Sequence, residues 1–235
     1  MTKIIVFGAA GRMGTQICEL ASKNSEFEIV GALEHEGHIA LGKTLNGKIQ
    51  VTSDLNFLKG QAQAAIDFTT PEATLEHLEI IEGWEGMAVV IGTTGFSDKE
   101  KNQIERFSKK MAIVMSPNMS RGVNLMLRLV REAAQILDGY KMDITEAHHV
   151  HKKDAPSGTA LALAEQIPHK VEIRSIREGE IVGKHTVAFA TGGERLEIKH
   201  IAYSRDAFAA GALDAAQWAA GKNPGLYSMK DVLGT

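Results

Sequence analysis

Through residue 119 the chain alternates short apolar runs with longer stretches of helical period. Residues 4–7, Phe27–Leu33, 64–68, 87–91 and 111–115 are largely apolar and rich in β-branched side chains, which suits strands buried on both faces. Residues 50–52 offer a further short strand. Residues 37–48 hold three glycines without a period and read as a loop. Between the runs, 15–22, 71–82 and 97–108 pattern as helices, with Pro71 in a first turn and Ser97 followed three residues on by Glu100, a capping-box pair. Strands alternating with helices predict a parallel, doubly wound α/β sheet, with ligands beyond the carboxyl ends of its strands. After Met119 the rhythm changes. Residues 121–137 form a long amphipathic helix pattern, 142–147 a strand, 160–167 a short helix, and 171–177, 184–190 and 194–202 strands parted by turns at Glu178-Gly179 and Thr191-Gly192-Gly193. That predicts a second, α+β domain with an open, largely antiparallel sheet and helices on one face. An alanine-rich helix over 205–220 follows, and 226–233 add an edge strand or pack on the first domain. The expected division is 1–119, completed by 206–235, and 120–205, with crossings near Met119 and Tyr203 serving as a hinge.

Composition narrows the function classes. A chain of 235 residues buries a sizeable core, and a net charge of −3 gives no support to a nucleic-acid or membrane-surface role. Cys18 is the only cysteine, which excludes an intramolecular disulfide and a cysteine-rich metal site. The apolar run after Lys3 is too short for a signal-peptide core, and no stretch approaches the ~20 apolar residues of a spanning helix. The cytoplasm is the expected compartment.

Two regions carry candidate chemistry. The first strand runs into Gly8-Ala9-Ala10-Gly11-Arg12-Met13-Gly14 and then a helix, the strand–glycine turn–helix arrangement of a Rossmann-type dinucleotide fold. The second strand ends at Glu34, twenty residues after Gly14, where a carboxylate meets ribose hydroxyls. The strand ends at Gly92-Thr93-Thr94 and Ser116-Pro117-Asn118-Met119 belong to the same expected crevice. The other region is Glu146-Ala-His-His-Val-His-Lys-Lys-Asp-Ala-Pro-Ser-Gly-Thr-Ala160, with three histidines and two lysines within six residues beside a helix start. The first turn of a helix offers unpartnered N–H groups to an anion, and imidazole and ammonium groups beside it suit proton transfer to an anionic substrate. Such a run is also the composition of a solvated loop. A metal pair, His149 with His151 on one strand face, finds no cysteine or carboxylate at a ligand spacing nearby, so no metal is expected.

These motifs, with Gly92-Thr93-Thr94-Gly95, Ser116-Pro117-Asn118-Met119-Ser120 and Tyr203-Ser-Arg-Asp-Ala-Phe-Ala-Ala-Gly-Ala212, resemble the 4-hydroxy-tetrahydrodipicolinate reductase (dihydrodipicolinate reductase) family in order and over nearly the whole chain. The resemblance implies NAD(P)H-dependent reduction of a cyclic dicarboxylate, 4-hydroxy-tetrahydrodipicolinate, in lysine and diaminopimelate synthesis, by a homotetramer built through the second domain's sheet. It implies His148 as proton donor or acceptor, Lys152 as proton donor, and His149, Gly158 and Thr159 as substrate contacts. It implies cofactor contacts at Gly8, Ala9, Ala10, Gly11, Arg12, Met13, Glu34, Gly92, Thr93, Thr94, Ser116, Pro117, Asn118 and Met119. Relatives favouring the phosphorylated cofactor often carry Arg after the acidic residue; His35 stands here, so NADH is expected to serve at least as well as NADPH. Competing classes are another two-domain nicotinamide oxidoreductase, such as an aspartate dehydrogenase, which lacks the central segment, and a non-catalytic NAD(H) sensor, which has no use for His148 and Lys152.

Overall fold

The computed structural model describes residues 1–45, 47 and 49–234; Asn46 and Lys48 of the expected loop, and Thr235, lie outside the described residues. In chain order the elements are β1 Thr2–Phe7, α1 Arg12–Ser22, β2 Phe27–Leu33, β3 Thr44–Leu45, β4 Ile49–Thr52, a 3-10 turn Asn56–Leu58, β5 Ala64–Asp67, α2 Pro71–Ile81, β6 Ala88–Ile91, α3 Asp98–Ser108, β7 Ala112–Met115, α4 Arg121–Ile136, β8 Lys141–His148, α5 Gly158–Ala164, β9 Glu172–Arg177, β10 Gly183–Ala190, β11 Arg195–Ala202, α6 Asp206–Ala219, β12 Gly225–Tyr227 and α7 Met229–Leu233. They form two compact units, Met1–Met119 with Phe208–Gly234, and Ser120–Ala207.

The first unit is built on an eight-stranded sheet in the order β12-β7-β6-β5-β1-β2-β4-β3. All its pairs are parallel except that of the short β3 with β4. A parallel sheet covered on both faces needs apolar side chains at consecutive positions. Ile4 and Val6 accordingly pack on one side with Ile17 of α1 and Ala216 of α6, and Ile5 and Phe7 on the other with Leu78 of α2 and Ile104 of α3. The carboxyl ends are stitched together by backbone bonds: Gly8 N–H donates to Leu33 (2.9 Å), Glu34 to Thr52 (3.0 Å), Gly92 to Asp67 (2.8 Å) and Ser116 to Ile91 (3.4 Å). Four candidate loops therefore share one edge of one sheet.

The caps follow the sequence. Thr70 accepts from Ala73 N–H ahead of Pro71, and the reciprocal Ser97–Glu100 box opens α3. One start differs. The glycine turn is shorter than expected, and α1 begins at Arg12 with Gly14 inside it. A Cβ on Gly14 would sit 2.0 Å from the Gly8 carbonyl oxygen, so glycine is there for close helix–turn packing and not as a breaker. The tail supplies β12, pairing parallel to β7 at the sheet edge, and a short α7 opened by a Ser228–Asp231 box.

The second unit has a four-stranded sheet in the order β11-β10-β8-β9. β10 pairs antiparallel with β8 and β11, whereas β9 lies parallel to β8. The turn at Glu178-Gly179 thus does not close a hairpin: α5 carries the chain over the sheet, as a parallel connection requires. Met142, Ile144, Val187 and Phe189 form one sheet face, covered by Met126 and Val130 of α4 and Ala160 and Leu163 of α5. No described helix is long and apolar enough to cross a membrane.

Candidate active site

Strand alternation places the first two polar groups of the second unit. Residues of one parity in β8 share a face, so Glu146 and His148 follow Met142 and Ile144 onto the core side and are buried. Register supplies the rest: His185 of β10 lies opposite Glu146, and on the other flank Ser175 and Arg177 of β9 lie opposite Glu146 and His148.

Glu146 is the hub. Its Oε2 accepts from His148 Nδ1 at 2.5 Å and from Arg177 Nη1 at 3.0 Å, and its Oε1 from Arg177 Nη2 at 2.9 Å and Ser157 N–H at 3.3 Å. Arg177 also donates to three carbonyls, those of Lys152 (3.3 Å), Ile176 (2.7 Å) and Asp154 (2.5 Å). Ser157 caps α5, its Oγ accepting from Ala160 N–H at 3.2 Å and lying 3.2 Å from His185 Nε2. One ion pair, its carboxylate buried and its guanidinium partly so, therefore ties the end of β8, the Lys152 loop and the start of α5 together.

The electrostatics follow from that geometry. Burial pushes the Glu146 carboxyl up, but hydrogen bonds from Arg177, Ser175 and His148 outweigh it and hold the pKa at about 2. Burial carries His148 below its ordinary value of 6.5 despite the pull of Glu146. His185, packed edge-on to His148 at 5.1 Å, is lowered to about 4 by burial and then by the charge of His148.

The other candidates of this unit surround the hub. Lys152 is partly exposed, its Nζ 2.8 Å from Asp154 Oδ1. His149 has a buried Nδ1 with no hydrogen-bond partner among the described residues, whereas His151 and Lys153 are solvated. Gly158 is the first residue of α5 and is exposed, and a Cβ built there meets nothing within 4 Å. The fold itself does not require glycine at that position. Arg177 and His185 escaped the sequence reading: each is an ordinary polar residue in an alternating strand until cross-strand register sets it beside Glu146.

In the first unit the glycine turn has the features of an anion cradle. Gly8 takes φ +66°, Gly11 precedes α1 without a side-chain cap, and Gly14 lets the helix start close against the turn. Glu34 reaches this turn, its Oε1 accepting from Ala10 N–H at 2.8 Å. Thr93 is buried and donates to Asp67 at 3.3 Å, and Gly92 packs so closely on Phe68 that a Cβ would lie 2.2 Å from its ring. Ser116 Oγ donates to the Asn118 carbonyl at 3.0 Å. Gly11, Arg12, Thr94 and Pro117 are exposed, and Ala10, Met13 and Asn118 partly so, while the side chains of Ala9 and Met119 belong to the core. Ligand atoms of Glu34, His35 and His38 lie within 4.8 Å of one another and could hold a metal, although each residue already makes a loop bond, to Ala10, Glu36 and Ala40. A cavity of about 420 Å³ near Trp84, Lys110 and Lys222 lies by the amino ends of β6 and β7 and holds none of the candidate residues.

Comparison with known proteins agrees with this arrangement. Residues 2–119 match the family model for the N-terminus of dihydrodipicolinate reductase, and residues 122–233 the model for its C-terminus. The chain is 43% identical to a 4-hydroxy-tetrahydrodipicolinate reductase of Anaeromyxobacter dehalogenans, covering 100% of this chain and 98% of the relative. It is likewise 43% identical to the one from Aquifex aeolicus, over 99% and 98%. In fold it is similar to a dipicolinate-bound dihydrodipicolinate reductase from Paenisporosarcina sp. TG-14, with a TM-score of 0.83 at 24% identity and 97% coverage of both chains. A glycine-turn sheet and a His-Lys segment joined in one chain, matched along their full length by these models and relatives, make this protein a member of the dihydrodipicolinate reductase family and a nicotinamide-dependent oxidoreductase.

Proposed function

We propose that the chain reduces (2S,4S)-4-hydroxy-2,3,4,5-tetrahydrodipicolinate to tetrahydrodipicolinate in lysine and diaminopimelate synthesis, with His148 and Lys152 as its proton-transfer groups. When bound, the reduced nicotinamide supplies the hydride, and the substrate hydroxyl leaves as water. A ring that accepts a hydride becomes electron-rich, so a nearby cation and proton donor favour the transition state over the bound substrate. The observation that carries this reading is the Glu146–Arg177 pair, which binds the His148 ring, the Lys152 carbonyl and the Ser157 amide at once. His149, Gly158 and Thr159 hold the substrate carboxylates, Gly158 leaving the backbone open to them.

The glycine turn with Glu34, the Gly92–Thr94 loop and the Ser116–Met119 loop bind the cofactor. Glu34 favours ribose hydroxyls and repels a 2′-phosphate, and His35, an imidazole where an arginine fork would pair with that phosphate, compensates poorly. NADH then serves at least as well as NADPH, with Arg12 the remaining cation for the latter. The reading extends to a homotetramer assembled through the second unit's sheet and working in the cytoplasm, where the lone buried Cys18 stays reduced.

The test is a coupled assay with freshly made substrate, following loss of reduced-nicotinamide absorbance with each cofactor in turn. Turnover of this substrate separates the reading from a sensor, which consumes nothing, and from an aspartate dehydrogenase, which takes another substrate. Lys152→Ala should lower kcat by about 100-fold with little change in cofactor affinity; near-normal turnover removes Lys152 from the chemistry.

A further inference from the structure

We propose that Glu146, backed by Arg177, is a positioning residue that keeps a proton on His148 Nδ1 and thereby makes Nε2 the nitrogen that exchanges protons with the substrate. This rests on the reading of His148 given above and deepens it.

Glu146 has no exposed surface and both its oxygens are engaged, with at least two donors on each. An ionised carboxylate only accepts hydrogen bonds. The atom facing Oε2 at 2.5 Å, His148 Nδ1, must therefore carry hydrogen in the neutral ring as well as in the cation. The working nitrogen is then Nε2 by exclusion. Its surroundings suit proton exchange, since Gly183 places no side chain over it, and a Cβ there would stand 3.4 Å from Nε2. The neighbouring imidazole, His185, turns its own Nε2 to Ser157.

The charges around the ring are few and come from every element packed on it: Glu146 on its own strand, Lys152 from the following loop, Arg177 from β9 and His185 from β10. Lys152 and Arg177 oppose a positive imidazole, and among the described residues Glu146 is the anion that favours it. Arg177 meanwhile keeps Glu146 ionised, so the carboxylate stabilises the imidazolium without taking its proton. Whichever way a proton travels, it crosses at Nε2, and the ring returns to the same tautomer.

The first test needs no variant. Nitrogen-15 NMR of the full chain labelled in histidine, with His148 assigned by comparison with His148→Gln, should show protonated Nδ1 and bare Nε2 in the neutral ring; the opposite tautomer overturns the proposal. Next, Glu146→Gln keeps the shape and removes the charge. We expect kcat to fall by about 100-fold, substrate KM to change little, and the ionisation of His148 in the kcat profile to move to lower pH. Glu146→Asp should restore part of the rate and of the ionisation. A fall in rate with no movement of that ionisation means a structural role only and rejects the assignment; if Glu146→Gln fails to fold, the wild-type tautomer decides alone. Because the tautomer is read without substrate, an Nδ1–H ring in a protein that does not turn over the proposed substrate would sink the function and leave the positioning intact.

Discussion

Gly158→Ala separates what the fold needs from what the chemistry needs. The residue opens α5 behind the Ser157 cap, its backbone is not left-handed, and nothing lies within 4 Å of a Cβ built on it. Folding should therefore tolerate alanine. A glycine-to-alanine change in a helix stabilises by about 0.5–1 kcal/mol, which for a chain of this length raises Tm by roughly 1–4 °C. Function predicts the reverse. If the amides of Gly158 and Thr159 seat a substrate carboxylate, a methyl group beside them weakens a hydrogen bond to a charged group worth about 1.5–3 kcal/mol. At about 1.4 kcal/mol per tenfold, substrate KM should rise roughly 10- to 150-fold, with cofactor KM unchanged. Thermal unfolding and steady-state kinetics on one preparation read both quantities. An unchanged substrate KM would refute the carboxylate seat, and a lowered Tm would refute the open space around the residue.

Gly14→Ala should do the opposite, since its Cβ meets backbone that cannot yield, 2.0 Å from Gly8 oxygen and 2.6 Å from Ala9 Cα; a loss of about 1–3 kcal/mol and a raised cofactor KM are expected by denaturant unfolding and kinetics. His35→Arg should raise the NADPH-to-NADH ratio of kcat/KM by about tenfold, and an unmoved ratio would remove Glu34 and His35 from cofactor choice. Acid should weaken the fold in two stages followed by circular dichroism. His185, neutral in the fold with a pKa of about 4 against an ordinary 6.5, contributes stability above pH 6.5 that is lost on the way down to about 4, and Glu146, held at about 2 against 4.5, contributes stability above 4.5 that is lost towards pH 2. A variant His185→Gln that retains the first stage would argue against that assignment.

Much of the fold was legible because local chemistry and tertiary packing agree. Phe27–Leu33 reads as a buried strand from its own composition, and the Ser97–Glu100 box opens α3 from two side chains three residues apart. The misreadings arose where a residue's reason lay elsewhere in space. Gly14 looks like a turn residue until the Gly8 carbonyl is seen against it, and Glu178-Gly179 looks like a hairpin until β9 is found beside β8. The site divides the same way. His148 and Lys152 stand out by residue type in one short segment. Arg177 lies 31 residues from Glu146 and no sequence spacing predicts their meeting, because strand order sets it.

The pairing of Glu146 with Arg177 is hard to explain as a stabilising device. Desolvation offsets most of the attraction in a buried ion pair, and apolar replacements of similar volume are often as stable or more so. The second unit nonetheless sets a carboxylate with 0% side-chain exposure, flanked by His148 and His185, on the sheet face that carries Met142, Ile144, Val187 and Phe189. An apolar pair could fill that volume, but it could not donate to the carbonyls of Lys152 and Asp154, nor accept from Ser157 N–H and His148 Nδ1. Those bonds fix an imidazole, an ammonium-bearing loop and a helix start with respect to one another inside a single unit, and proton transfer depends steeply on such placement. The ion pair is thus better explained by the proposed active centre than by stability, since apolar side chains of that volume would leave the Lys152 loop without its Arg177 anchor.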